Sequence, residues 1–173
     1  MSKNIYGGGS QTNLNGLKFE QETLLSDALD SLNNCTVVNK TVYLNNSVVG
    51  IIVSKHSLYK DLLIPNGVDY KKIISKQILP DDALYLYSSN TVYIIEKKFQ
   101  NTSGSVDEKL QTCDFKKEQY TKLLEPLNLK VEYIYVLSDW FKQEQYRDVL
   151  DYIIDCKCHY YFNEIPSDTF NFY

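Results

Sequence analysis

Pro80-Asp81-Asp82-Ala83-Leu84-Tyr85-Leu86-Tyr87-Ser88-Ser89-Asn90-Thr91-Val92-Tyr93-Ile94-Ile95-Glu96-Lys97-Lys98 is the stretch around which the chain is organised. It reads as two β-strands around a short polar turn, with aspartates at one end and Glu-x-Lys at the other. Side chains alternate along a strand, so Glu96 and Lys98 share a face. The preceding Val92-Tyr93-Ile94-Ile95 is apolar on both faces, as in a strand covered on both sides. Charges at the end of such a strand are costly unless they are paired or bind a metal. A two-residue loop at Ser89-Asn90 sets Ala83 opposite Glu96 and Asp81 opposite Lys98. Asp81, Glu96 and Lys98 then occupy one face, and Asp82 and Lys97 the other. A three-residue loop would bring in Asp82 in place of Asp81.

The remaining elements follow from periodicity. Residues 1–16, with Gly7-Gly8-Gly9-Ser10, read as a flexible arm, and 17–173 as a single domain. Leu17, Leu24, Leu25, Ala28, Leu29 and Leu32 form a stripe at helical spacing, predicting a helix from Asn15-Gly16 to Asn33-Asn34. Glu20 and Glu22 flank that stripe on opposite edges. Cys35–Leu44 and Val48–Ser54 read as strands joined at Asn45-Asn46, and His56–Leu63 as a short helix. Ser105-Val106-Asp107-Glu108 is a capping box opening a helix that Pro126 stops. Lys109 and Lys116 lie seven apart on that helix, a row suited to phosphates. Val131–Leu137 reads as a strand. A helix capped by Ser138 or Asp139 then runs to Asp155, and His159–Phe162 is the last strand, before an irregular tail. Cys156-Lys157-Cys158-His159 lacks a second ligand pair, which argues against zinc. Strands alternating with helices give an α/β fold.

Bulk properties narrow the classes. The chain has 173 residues, enough for one domain with a core. No apolar run approaches the roughly 18 residues that span a membrane, and the N-terminus lacks a secretory h-region. Four cysteines without framework spacing fit a reducing, cytoplasmic setting. The net charge of −4 argues against indiscriminate coating of nucleic acid but not against an enzyme acting on it.

Pro80-Asp81, a gap of fourteen residues, then Glu96-Lys97-Lys98 resembles the PD-(D/E)xK nuclease pattern. Glu96-Lys97-Lys98-Phe99-Gln100, followed by Gly104-Ser105-Val106-Asp107-Glu108-Lys109-Leu110, is similar to type II restriction endonucleases. The resemblance implies a restriction-endonuclease-like core, a mixed central β-sheet flanked by helices, and metal-dependent hydrolysis of DNA phosphodiesters. Asp81 and Glu96 are then the Mg²⁺ ligands, with Mn²⁺ as substitute. Lys98 orients or deprotonates a water, or stabilises charge on phosphorus. Because the first core helix of the family often brings an acid to the metal, Glu20 is the expected fourth member and Glu22 its rival. Gln100, Lys109 and Lys116 are candidates for substrate contacts. Double-stranded DNA is the expected partner, and cutting both strands with one site per chain implies a homodimer, a monomer nicking each strand in turn being the alternative. Competing readings are an ordinary strand-end ion pair, a catalytically inactive DNA- or protein-binding module on the same fold, and a nuclease for branched or nicked DNA or RNA.

Overall fold

The computed structural model describes residues 16–20, 22–101, 106–170 and 172. The glycine run of the arm and the expected cap Ser105 lie outside them. The central feature is a seven-stranded mixed sheet. Its strands are β2 (Cys35–Val38), β3 (Thr41–Leu44), β4 (Ser47–Ile52), β5 (Asp82–Leu86), β6 (Thr91–Lys98), β7 (Lys130–Leu137) and β8 (His159–Phe162), and they lie in that order. Pairing is antiparallel from β2 to β6, and parallel from β6 through β7 to β8. The parallel pairs need crossovers, supplied by α2 (Val106–Leu110) and α3 (Cys113–Leu124) before β7, and by α4 (Arg147–Asp155) before β8.

The two faces of the sheet are covered differently. Val92, Ile94, Tyr133 and Tyr135 pack under α3, α4 and the π-helical segment Leu58–Leu63. Tyr93, Ile95, Ile134 and Val136 pack under α1 (Leu25–Asp30) and a small two-stranded sheet. Ile94 and Ile95 are both fully buried, and each such side chain contributes roughly 1.5–3 kcal/mol by leaving water. β6 is therefore apolar on both faces for the reason its sequence suggests, until Glu96 interrupts it.

The expected N-terminal helix is only partly present. Leu17–Lys18 forms β1, paired antiparallel with β9 (Glu164–Ile165), and helix begins only at Leu25. Leu17 and Phe19 are buried while Lys18 and Glu20 are exposed, a period of two rather than 3.6. Glu20 and Glu22 thus precede α1 and are not on a helix. The single strand expected over Cys35–Leu44 is a hairpin, turned at Asn39-Lys40 with φ of 48° and 71°. The helix expected from Ser105 is broken after Leu110. There Thr112 donates to the Lys109 carbonyl through both its amide and its hydroxyl. Ser138 does not cap α4, which starts at Arg147 after two 3₁₀ turns. The tail from Ile165 adds buried Phe170 to the core.

Candidate active site

The turn between β5 and β6 is four residues long, Tyr87 to Asn90, because Leu86 pairs with Thr91. The two-residue loop expected from the sequence is thus lengthened by two, and every cross-strand partner moves by two. Ala83 faces Ile94, Asp82 faces Ile95, and continuing the register sets Asp81 across from Glu96. An even change leaves the faces unaltered. Asp81, Glu96 and Lys98 lie on the α3 side, and Asp82 and Lys97 on the α1 side.

On the α3 side the charges converge. Lys98 Nζ lies 3.1 Å from Glu96 Oε2, 3.4 Å from Asp81 Oδ2 and 3.1 Å from the Lys97 carbonyl oxygen. The Lys97 backbone N–H donates to the same Asp81 oxygen at 3.0 Å, fixing the carboxylate against the strand end. Lys116, from α3, donates to Glu96 Oε2 at 3.2 Å. The Glu96 side chain is only 5% exposed, whereas that of Asp81 is 42% exposed. A carboxylate so buried needs paired cations, and Glu96 has two. Tyr120 and Tyr133 stand behind it, and burial, reinforced by the Glu96 charge, pushes both phenols well up, so they stay neutral.

On the α1 side, Lys97 Nζ pairs with Asp82 Oδ2 at 3.0 Å and donates to the Thr23 carbonyl at 2.6 Å. Ser54 donates to Asp82 Oδ1 at 3.2 Å. Burial pushes the Asp82 carboxyl up, only partly offset by Lys97 and Ser54. An open cleft of about 400 Å³ joins the two sides, lined by Glu22, Lys55, Asp81, Asp82, Lys97 and Lys98 among others.

Of the residues singled out in the sequence, the structure brings together Asp81, Glu96, Lys98 and Lys116. Glu20 is displaced: it lines a separate depression with Lys18 and Glu164, and its rival Glu22 lines the cleft. The alternation of Leu17-Lys18-Phe19-Glu20 was the available signal. Lys109 does not form a row with Lys116, since the break at Thr112 leaves it exposed on α2. Gln100 is held by its backbone, its N–H donating to Ser138 Oγ and its carbonyl accepting from that hydroxyl. Lys55 was not singled out from the sequence. It meets the site through a contact distant in sequence, its N–H donating to the Pro80 carbonyl at 3.0 Å.

The oxygens around Lys98 Nζ fit a hard divalent cation in kind: two carboxylates and a backbone carbonyl within reach of one cationic centre. No group of three or more His, Cys, Asp or Glu side chains able to share a metal ion occurs among the described residues. The third oxygen close at hand is a carbonyl.

A family model described as a PD-(D/E)XK nuclease superfamily domain matches residues 11–121. The chain belongs to the PD-(D/E)XK nuclease superfamily. The match spans the cleft, β5, β6 and Lys116, and it agrees with the seven-stranded mixed sheet flanked by helices. Membership supports nuclease activity in general, and nucleases of this superfamily generally use divalent metal ions. Comparison with curated proteins and with solved structures gives no match. Among the described residues, no helix is long and apolar enough to cross a membrane.

Proposed function

We propose that this PD-(D/E)XK protein is a Mg²⁺-dependent endodeoxyribonuclease of the type II restriction kind, cutting duplex DNA as a homodimer. The observation that carries the reading is the convergence of Asp81, Glu96 and the Lys97 carbonyl on the Lys98 ammonium at the open end of a buried strand. Asp81, Glu96 and the Lys97 carbonyl would hold the cation, and Glu22, which lines the same cleft, would take the part expected of Glu20. When bound, such a cation supplies Lewis-acid polarisation of the scissile phosphate. Asp81, the more exposed carboxylate, is the one a substrate meets first. Glu96 is held rigid by burial and two ammonium groups, so its position changes little during reaction. Lys98 offers a charge-assisted donor to oxygens where negative charge grows as the phosphorus is attacked. Lys116 serves the same end from α3 and keeps Glu96 neutralised before substrate arrives.

The test is digestion of a long DNA of known sequence by the purified protein with Mg²⁺ or Mn²⁺, and sequencing of the cut ends. Discrete ends are expected. Glu96→Ala and Lys98→Ala should each lower cleavage by at least about 10²-fold, the size of effect of a positioned catalytic group, with circular dichroism unchanged. Intact duplex, single-stranded and branched DNA under all metal conditions would sink the enzyme reading, and ragged ends would sink the restriction-like one.

A further inference from the structure

Lys55 has no role in the reading above, yet it lines the same cleft as Asp81 and Lys98. The other ammonium groups in and around that cleft are neutralised by carboxylates: Lys97 by Asp82, Lys98 by Glu96 and Asp81, Lys116 by Glu96. Lys55 has no acidic side chain within ion-pairing distance among the described residues, and its side chain is exposed. Its backbone is also unusual. Lys55 sits at φ 52°, in the left-handed region that an unbranched lysine rarely adopts. It occupies the turn between β4 and the π-helical segment, and its N–H is tied to the carbonyl of Pro80, the residue before Asp81. That bond anchors the backbone of Lys55 beside the cleft wall.

We propose that Lys55 is a phosphate-binding residue, contacting a backbone phosphate of the nucleic-acid strand that lies in the cleft. The proposal rests on the nuclease reading and adds to it the binding contact that the metal-site residues do not provide. An uncompensated ammonium on an exposed wall, fixed at its backbone, binds a phosphate as a point charge without first breaking an internal ion pair. Its contribution is sequence-independent and depends on salt, because binding releases the counterions of the phosphate.

The experiment measures equilibrium binding of a fluorescently labelled DNA duplex, and of the single strand, in EDTA over a series of salt concentrations. The proteins compared are wild type, Lys55→Asn, Lys55→Gly and Lys55→Arg. Asn and Gly both tolerate positive φ, so the turn is preserved while the charge is removed. The slope of log K against log salt should fall by about 0.9 in magnitude for Lys55→Asn and Lys55→Gly on the duplex, the loss of one phosphate contact. Lys55→Arg should keep the wild-type slope. A role confined to holding the turn would move thermal stability and leave the slope alone. Wild-type slope and affinity in both neutral variants would overturn the assignment of Lys55 while leaving the nuclease reading intact. Failure of the wild type to bind either probe would overturn the phosphate contact, whereas the nuclease reading is decided by the cleavage test with Mg²⁺ or Mn²⁺.

Discussion

Two adjacent aspartates follow Pro80, and only the backbone decides what each one does. Asp81 points toward Lys98 and the buried Glu96, while Asp82 points through the sheet to Lys97 and Ser54. Asp81→Asn should therefore abolish cleavage, by at least about 10²-fold, and leave stability almost unchanged, since the side chain is 42% exposed. Asp82→Asn should retain cleavage and lose stability. Cleavage rates and urea midpoints of the two variants separate these outcomes, and an inactive but stable Asp82→Asn would refute the face assignment. The same cleavage assay, run against metal concentration, should show a raised metal requirement for Glu22→Gln and none for Glu20→Gln, because only Glu22 lines the cleft. The faces of Asp81 and Asp82 were legible in the sequence because parity survives a change of two in loop length. The register itself was not, since a four-residue turn through Tyr87 and Ser88 carries no mark that distinguishes it from a two-residue turn at Ser89-Asn90.

At the scale of elements, β6 makes the site because its two faces serve different ends. Glu96 and Lys98 face the α3 side, with Asp81. Lys97, between them, ties the strand to Asp82 of β5 and to the Thr23 carbonyl just before α1. It thereby holds the segment carrying Glu22 over the cleft. Lys97→Met should destabilise the fold by about 3 kcal/mol, the low end for a broken buried ion pair, because Ser54 still donates to the orphaned Asp82. Adding Asp82→Asn should recover about half of that loss, a coupling that a double-mutant cycle of urea midpoints measures. Additive losses would show that the two side chains do not depend on each other. The β5–β6 hairpin was readable because its apolar run and terminal charges are local. β1 was not, because Leu17–Lys18 becomes a strand only by pairing with Glu164–Ile165 at the far end of the chain. The leucine stripe imitated a helix although Leu24 is 57% exposed and Leu17 and Leu25 belong to different elements. The turn at Asn39-Lys40 was hidden for a related reason: Lys40 at positive φ has no sequence signature, though Asn39 does. The break between α2 and α3 is closed by Thr112, whose amide and hydroxyl both donate to the Lys109 carbonyl.

For the whole molecule, the end of the sheet opposite the cleft carries a hydrogen-bonded pair that bears on folding rather than chemistry. Glu132 of β7 reaches His159 of the edge strand β8, with His159 Nε2 and Glu132 Oε2 3.0 Å apart. Burial alone would raise the Glu132 carboxyl, but the His159 hydrogen bond and charge, with Lys117 and Lys130 nearby, outweigh it and hold the carboxyl below its ordinary value of 4.5. The unfolded chain therefore takes up this proton first as pH falls. The stabilisation is fully present above about pH 4.5 and is lost as pH drops from there through the lower folded value. Glu132→Gln should be less stable than wild type at neutral pH, and the gap should close as the solution is acidified through that window. Urea midpoints of both proteins, measured from neutral pH down to about pH 3, give the comparison. Parallel curves would mean that the Glu132 carboxylate does not help to hold β8, which also pairs with β7 through its backbone and packs Tyr160 and Phe162 against the core. Because β8 lies outside the 11–121 match and on the far side of β7 from β6, the variant should lose acid-sensitive stability without losing cleavage. That separation distinguishes the scaffold from the cleft that β5 and β6 build.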